Sequence, residues 1–437
     1  MNTRNLFRVF NRPVILNCIC KRDKGYKIVQ RPDPKTLKMP NLADAPSIMT
    51  IIKEKQRLNG PLTVAEYMHI VITNPTEGYY EKKDVIGETG DFITSPEISQ
   101  LFGEILAVWF YAETQKMSPG KPLQIVELGP GKATLLIDIL RVLNRYGYKA
   151  PDLTLHLVEI STAMQVAQAN RLCVSHRETD LESPHNREGE TVSGIKVYWY
   201  NDLKKVPNNF SWYIAHEFFD VLPIHKFEKT EEGWREVLID LDENDKLRYR
   251  ISANETQATR VLVRPPLDAG DRKALEISPR SLGIARQLAN RVDQFGGIAL
   301  IADYGHTGEK EDTFRAFHKH KIVDPLENPG MADLTADVDF SQLRLAASMT
   351  PGDENYALVV GPVAQMEFLQ RMQANARLQV LVDNAKTEND KEKIEAAYDM
   401  LVNPTKMGER FKFMAFYPSG MAQILEKYPP LGFSTPK

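Results

Sequence analysis

Apolar and polar positions along the centre of this chain follow two periods in turn. Leu123 to Val126 form a short, mostly apolar run with β-branched members, closed by Glu127, which reads as a buried parallel strand. Gly129 and Gly131 bracket a turn, and a helical pattern follows from about Lys132 to Tyr146. The alternation then repeats: strand Leu153–Val158 ending in Glu159, helix Ser161–Leu172, strand Ile195–Tyr200 followed by Asn201 and Asp202, strand Trp212–Ala215 followed by His216 and Glu217, helix Ser281–Gln294, and strand Gly297–Ala302 followed by Asp303 and Tyr304. Strands alternating with helices predict an α/β fold with a doubly wound, mostly parallel sheet.

The flanks read differently. From Ile48 to about Gln115 the pattern is largely helical, with Thr63 and Glu66 spaced as a capping box and Ser95-Pro96-Glu97 opening a helix whose apolar face includes Leu101, Phe102, Ile105 and Trp109. A glycine-punctuated loop from Gly78 to Ser95 separates these helices and could fold over a ligand. Residues 225–252 look like a β-meander. Residues 178–193 read as an exposed acidic loop, residues 312–339 as a polar loop, and Lys386–Met400 as a charged helix with a solvated face. The predicted organisation is a targeting segment (1–22), a proline-bearing linker (23–45), an N-terminal helical region with the loop (46–117), a core (118–345) with a β-meander and helical insertion at about 225–275, and a mixed C-terminal region packed on the core (346–437).

The turn after the first strand carries the chemistry. It lies at the carboxyl end of a parallel strand, where open α/β sheets bind ligands, and glycine lets backbone approach one closely. It is no Walker loop, and the third glycine of a dinucleotide fingerprint is replaced by Thr134. Glu127 would repel a phosphate but suits a cationic amine or ribose hydroxyls, which is the chemistry of S-adenosylmethionine. The segment Glu127-Leu128-Gly129-Pro130-Gly131 resembles the first motif of class I methyltransferases, with Ala133 as the third small residue. Glu159, 32 residues on at the end of the next strand, is placed to accept from both hydroxyls of a ribose. Asp202, after the third strand, is placed to meet the adenine edge.

Charge and cysteine content narrow the setting. The first 22 residues hold Arg4, Arg8, Arg12, Lys21 and Arg22 and no acid, interleaved with apolar residues, the pattern of a mitochondrial transit peptide. Removing these five basic residues takes the net charge from −3 to −8, which disfavours nucleic acid as a partner. Three cysteines, two of them in that segment, cannot build a disulfide framework or a multi-cysteine zinc site, and Cys173 reads as a packed thiol. No metal site is expected. No apolar run approaches the ~18 residues of a membrane span, so no integral membrane segment is expected.

Several ordered motifs add a more specific resemblance. Gly90-Asp91-Phe92-Ile93-Thr94-Ser95-Pro96-Glu97, the glycine turn, Ala215-His216-Glu217-Phe218-Phe219-Asp220-Val221-Leu222-Pro223, Asp303-Tyr304-Gly305 and Asp333-Leu334-Thr335-Ala336-Asp337-Val338-Asp339-Phe340 follow one another as in the MidA family. The likeness covers roughly residues 45–435, with His216 standing where many members carry Asn. Mitochondrial members are protein arginine methyltransferases that assist assembly of respiratory complex I. The resemblance therefore implies an S-adenosylmethionine-dependent enzyme of the mitochondrial matrix, acting on a complex I subunit. Glu217 sits just after the fourth strand, where class I methyltransferases place groups facing the acceptor, and is expected to be the main ligand of the target guanidinium, supported by Asp220 and His216, because carboxylates bind that planar fork in bidentate fashion. Asp303 and Tyr304 could line the acceptor pocket. Two other readings stay open on the residues alone: an assembly factor that binds the cofactor without turnover, and a methyltransferase for RNA or a small molecule.

Overall fold

A twisted central sheet organises the molecule. The computed structural model describes residues 46–74, 77–79, 94–117, 122–265, 267, 269–319, 321–348 and 357–433. The predicted transit peptide and linker, and residues 80–93 of the glycine-punctuated loop, lie outside the described residues. Seven strands carry the main sheet: β1 (Leu123–Leu128), β2 (Leu153–Val158), β3 (Lys196–Tyr200), β4 (Ser211–His216), β5 (Gly297–His306), β6 (Leu358–Ala364) and β7 (Phe411–Tyr417). Their spatial order is β3-β2-β1-β4-β5-β7-β6. The pairs from β3 to β5 are parallel, and β7 is antiparallel to both β5 and β6. The chain reverses its direction of travel across the sheet between β1 and β4, and that switch point opens a crevice at the strands' carboxyl ends.

The core follows from the apolar runs. All six residues of β1 are buried, because helices cover both faces of a central parallel strand. The helix Thr134–Arg145 buries Leu135, Leu136, Ile139, Val142 and Leu143, a single stripe at helical spacing, each such residue contributing about 2 kcal/mol. The stripe faces the helix Gln100–Gln115, and Gly103 permits that close approach: a Cβ there would stand 2.5 Å from Asp138 Cβ. Thr63 and Glu66 form the expected capping box of the helix Val64–Thr73.

Several predicted elements differ. Residues 178–193 are not a plain loop: Ser175–Glu178 and Arg187–Glu190 form a hairpin that adds two antiparallel strands beyond β3. Its strands are polar at nearly every position, so no alternation marks them; buried Arg187 pairs with Glu178 at 2.8 Å. The segment 312–339 contains a three-stranded sheet, Arg315–His318, Lys321–Val323 and Asp333–Thr335. The helix at Ser95 has Thr94 at its N-cap position without a side-chain capping bond and breaks at Ser99, whose extended backbone and Oγ then cap the helix Gln100–Gln115. Strand β4 extends to His216 and β5 to His306. The meander His225–Thr230, Gly233–Leu241 and Leu247–Ile251 pairs with Ala274–Ile277 and with Leu62–Thr63 of the N-terminal region. No helix among the described residues is long and apolar enough to cross a membrane.

Candidate active site

A cleft of about 1110 Å³ opens at the switch point, lined by residues from the ends of β1 to β4 and by the helix Pro279–Phe295. It brings together Glu127, Gly129, Gly131, Glu159, Asp202, His216 and Glu217. Asp220 does not line it, although it belongs to the same turn as Glu217.

The turn after β1 is built from left-handed backbone. Gly129 has φ +62° and Gly131 φ +50°, and Ala133 follows at φ +59°, which delays the helix to Thr134. A Cβ on Gly129 would stand 2.9 Å from Phe218 Cδ2, so the turn after β1 and the turn after β4 close on one another. Glu127 is buried, and its Oε2 has no hydrogen-bond partner in the protein. Burial alone pushes its carboxyl up to about 8. A desolvated carboxylate oxygen beside a glycine cradle is suited to a cationic or hydroxyl-bearing ligand, which fits S-adenosylmethionine.

Glu159 is held ready by its neighbours. Its Oε1 accepts from Ser161 N–H at 2.9 Å and its Oε2 from Gln168 Nε2 at 3.2 Å. The same Nε2 donates to Gly131 O at 2.8 Å, and Trp199 Nε1 donates to Gln168 Oε1 at 2.9 Å. Gln168 thus ties the strand-end acid to the glycine turn, a link between elements that no local pattern announces. Ile160, half exposed on the cleft wall, offers an apolar surface to a base; its signal was an apolar residue directly after a strand-end acid. Asp202 caps the short helix Leu203–Lys205 by accepting from Lys204 N–H at 2.9 Å.

The turn after β4 has the opposite character. Glu217 sits at φ +48°, a strained value for a residue with a side chain, and such strain clusters at functional sites. Its buried carboxylate accepts from Ser95 N–H at 3.3 Å, with His216 Nε2 3.4 Å away. Burial, and then the charge of Asp220, push the Glu217 carboxyl well above the usual carboxylate range. Burial lowers His216 to about 3, so this contact is with a neutral ring, and its Nε2 has no hydrogen-bond partner. Asp220 is pushed up to about 7 by burial, against the pull of Arg315, and its Oδ1 is also without a partner. Asp333 adds charge near Glu217, whereas Asp337 is paired with Arg315 at 2.6 Å and with Lys310. Buried acceptors exceed donors here, the environment a guanidinium would satisfy. Asp303, expected as a wall of the pocket, does not line the cleft; backbone N–H groups take up its carboxylate. Asp339 caps the helix Phe340–Ala347 and meets Arg272 at 3.2 Å. Cys173 is partly buried, and burial raises its thiol to about 11, as suits a packed side chain. Among the described residues no cluster of His, Cys, Asp and Glu is arranged to hold a metal ion.

Glu127 gives a pH signature. Its folded value of about 8 lies above its ordinary 4.5, so its contribution to stability is complete below pH 4.5 and is lost as pH rises to 8. Without ligand, the protein should lose stability relative to Glu127→Gln across that window, by up to about 1.4 kcal/mol per pH unit. Denaturant titrations of both proteins at several pH values check this; parallel profiles would contradict it.

Comparison with known proteins places this architecture. Residues 105–354 match the family model described as "Putative S-adenosyl-L-methionine-dependent methyltransferase". A relative from Drosophila melanogaster, named protein arginine methyltransferase NDUFAF7 homolog, mitochondrial, is 47% identical over 395 residues, covering 89% of each chain. The human protein arginine methyltransferase NDUFAF7, mitochondrial, is 46% identical over 372 residues, covering 83% of this chain and 82% of its own. Among solved structures, a Burkholderia thailandensis protein described as a "likely methyl transferase", bound to S-adenosyl-homocysteine, superposes with a TM-score of 0.69 at 22% identity. That match covers 88% of this chain and 96% of the other, and shows the shared fold.

Proposed function

Because this chain belongs to the S-adenosyl-L-methionine-dependent methyltransferase family that includes the mitochondrial protein arginine methyltransferases, we propose that it methylates arginine side chains of a protein substrate in mitochondria, with Glu217 as the ligand of the target guanidinium. One observation supports the site assignment above all: Glu217 is buried in strained backbone on the wall of the same cleft as the glycine turn, with its carboxyl pushed up by burial and a neighbouring acid.

S-adenosylmethionine supplies an electrophilic methyl group. Glu127 and Glu159 would hold it, by charge and by hydrogen bonds to hydroxyls, with Gly129 and Gly131 leaving room for it. Glu217 accepts from guanidinium N–H groups and orients one nitrogen toward the methyl position. His216, neutral through burial, stands on the same wall with its Nε2 3.4 Å from the Glu217 carboxylate. Asp220 and Asp333 lie behind Glu217 and keep the local potential negative. Arginine enters protonated, with a pKa above 12, so a gained methyl cation must be balanced by loss of one proton from the guanidinium. Glu217 is the group at hand to take it, since a carboxyl raised by burial is a stronger base than an exposed one. Most of the rate gain would come from orientation and preorganised charge.

We further place the enzyme in the matrix, acting on a subunit of respiratory complex I. The acid-free basic segment at the N-terminus supports the matrix, and the motif resemblance supports the complex I substrate. Incubation with radiolabelled S-adenosylmethionine and mitochondrial extract tests the reading. Label should appear in a protein band, survive nuclease and be lost with protease. Label confined to RNA or to small molecules would overturn it.

A further inference from the structure

Asp303 lies inside β5, fully buried, and takes no direct part in the cleft. Its Oδ2 accepts from three successive backbone N–H groups: Phe218 at 3.1 Å, Phe219 at 2.8 Å and Asp220 at 3.4 Å. Its Oδ1 accepts from Tyr304 N–H at 2.9 Å. Three consecutive N–H groups can converge on one oxygen only where the chain turns sharply, and the turn is made at Glu217 with its positive φ. On the other side of that residue, Glu217 N–H donates to Ala302 O at 3.0 Å and so continues the ladder between β4 and β5. Glu217 is therefore gripped from both sides by the neighbouring strand. Phe218, in the same grip, stands against the open side of Gly129.

We propose that Asp303 is a positioning residue for methyl transfer: by binding the N–H groups of Phe218, Phe219 and Asp220 it holds the Glu217 side chain at the cleft wall. The arrangement is costly. Asp303 is a buried acid with Asp220 beside it, and both burial and that neighbour raise its carboxyl well above the ordinary range. Fold stability alone would be served as well by an uncharged acceptor. A carboxylate gives three N–H groups a stronger common acceptor and fixes the backbone within the few tenths of an ångström that orientation demands. Tyr304, the next residue, also bears on Glu217, so strand β5 supports that side chain through both positions.

This inference rests on Glu217 as the guanidinium ligand, and a double-mutant cycle separates the two claims. Single-turnover methylation and calorimetric S-adenosylmethionine binding are measured for wild type, Asp303→Asn, Glu217→Gln and the double variant. Asp303→Asn should slow methyl transfer roughly 30-fold while cofactor affinity stays within about threefold, and in the Glu217→Gln background it should add less than about threefold. Equal losses in both backgrounds, or no loss in the single variant, would overturn the positioning role. Full activity in Glu217→Gln would instead overturn the reading of Glu217. Should Asp303→Asn not fold, amide hydrogen exchange of the wild type still decides: Phe218, Phe219 and Asp220 should be protected with or without cofactor, and fast exchange in the free protein would refute a preformed clamp.

Discussion

Glu217→Gln is expected to bind S-adenosylmethionine within about threefold of wild type and to transfer methyl groups roughly 100- to 1000-fold more slowly, a loss typical of removing one charged or oriented group at a reacting centre. The substitution keeps the shape of the side chain. It removes the negative charge and turns one acceptor into a donor facing the donors of the substrate. Because the Glu217 side chain is buried, both changes act strongly, and charge-assisted hydrogen bonds are about twice as strong as neutral ones. The cofactor side should be spared, because Glu127 lies within β1 and Glu159, directly after β2, is held by Ser161 and by Gln168, which also holds Gly131, all independent of Glu217. The expected split between binding and turnover also separates a catalytic from a merely structural Glu217: a loop-holding role would lower both together with the melting temperature.

Gly129→Val should remove measurable cofactor binding, raising Kd at least roughly 100-fold, or ~3 kcal/mol. Two independent effects converge. Left-handed backbone costs a side-chain-bearing residue about 1–2 kcal/mol, and a β-branched residue is a true outlier there. The new Cβ would stand 2.9 Å from Phe218 Cδ2, and Phe218 cannot simply retreat, since Asp303 holds its N–H and Phe219 lies edge-on at 5.4 Å. The added methyl groups would also fill the space into which the ligand's polar end must fit. Circular dichroism should show a folded protein, and calorimetry should show no heat of binding. Wild-type affinity in that folded variant would place the cofactor elsewhere.

The difference between what was legible in the sequence and what was not has a physical basis. The turn Glu127-Leu128-Gly129-Pro130-Gly131 is a local device: strand, acid and glycines are contiguous, so the residue order spells out the structure. Glu159 was readable because parallel strands of one sheet repeat the same geometry, placing its strand end beside that of β1. The edge hairpin at 175–190 left no trace because its strands are polar at nearly every position, so no alternation marks a buried face. Strands β6 and β7 were merged into a mixed C-terminal region because nothing local says which sheet a strand will join. Asp303 is the clearest case. An acid at the end of a buried strand reads as a pocket wall, and only the fold reveals three N–H groups, more than eighty residues earlier in the chain, converging on its carboxylate. Asp220 posed the converse difficulty: one turn separates it from Glu217, yet backbone direction takes its side chain toward Arg315 and away from the cleft.

The acidic surroundings of Glu217 also suggest how substrate is selected. A lysine ammonium is a compact charge, whereas a guanidinium brings five N–H donors in one plane. The two carboxylate oxygens of Glu217 match the paired N–H groups of a guanidinium better than the point charge of an ammonium.

Tandem mass spectrometry of the protein methylated in mitochondrial extract decides whether Glu217 serves arginine methylation. Methyl groups are expected on an arginine guanidinium of a complex I subunit, present with wild-type enzyme and absent with Glu217→Gln. Methylation on lysine, on a carboxylate or on RNA, or equal labelling by the Glu217→Gln enzyme, would contradict it.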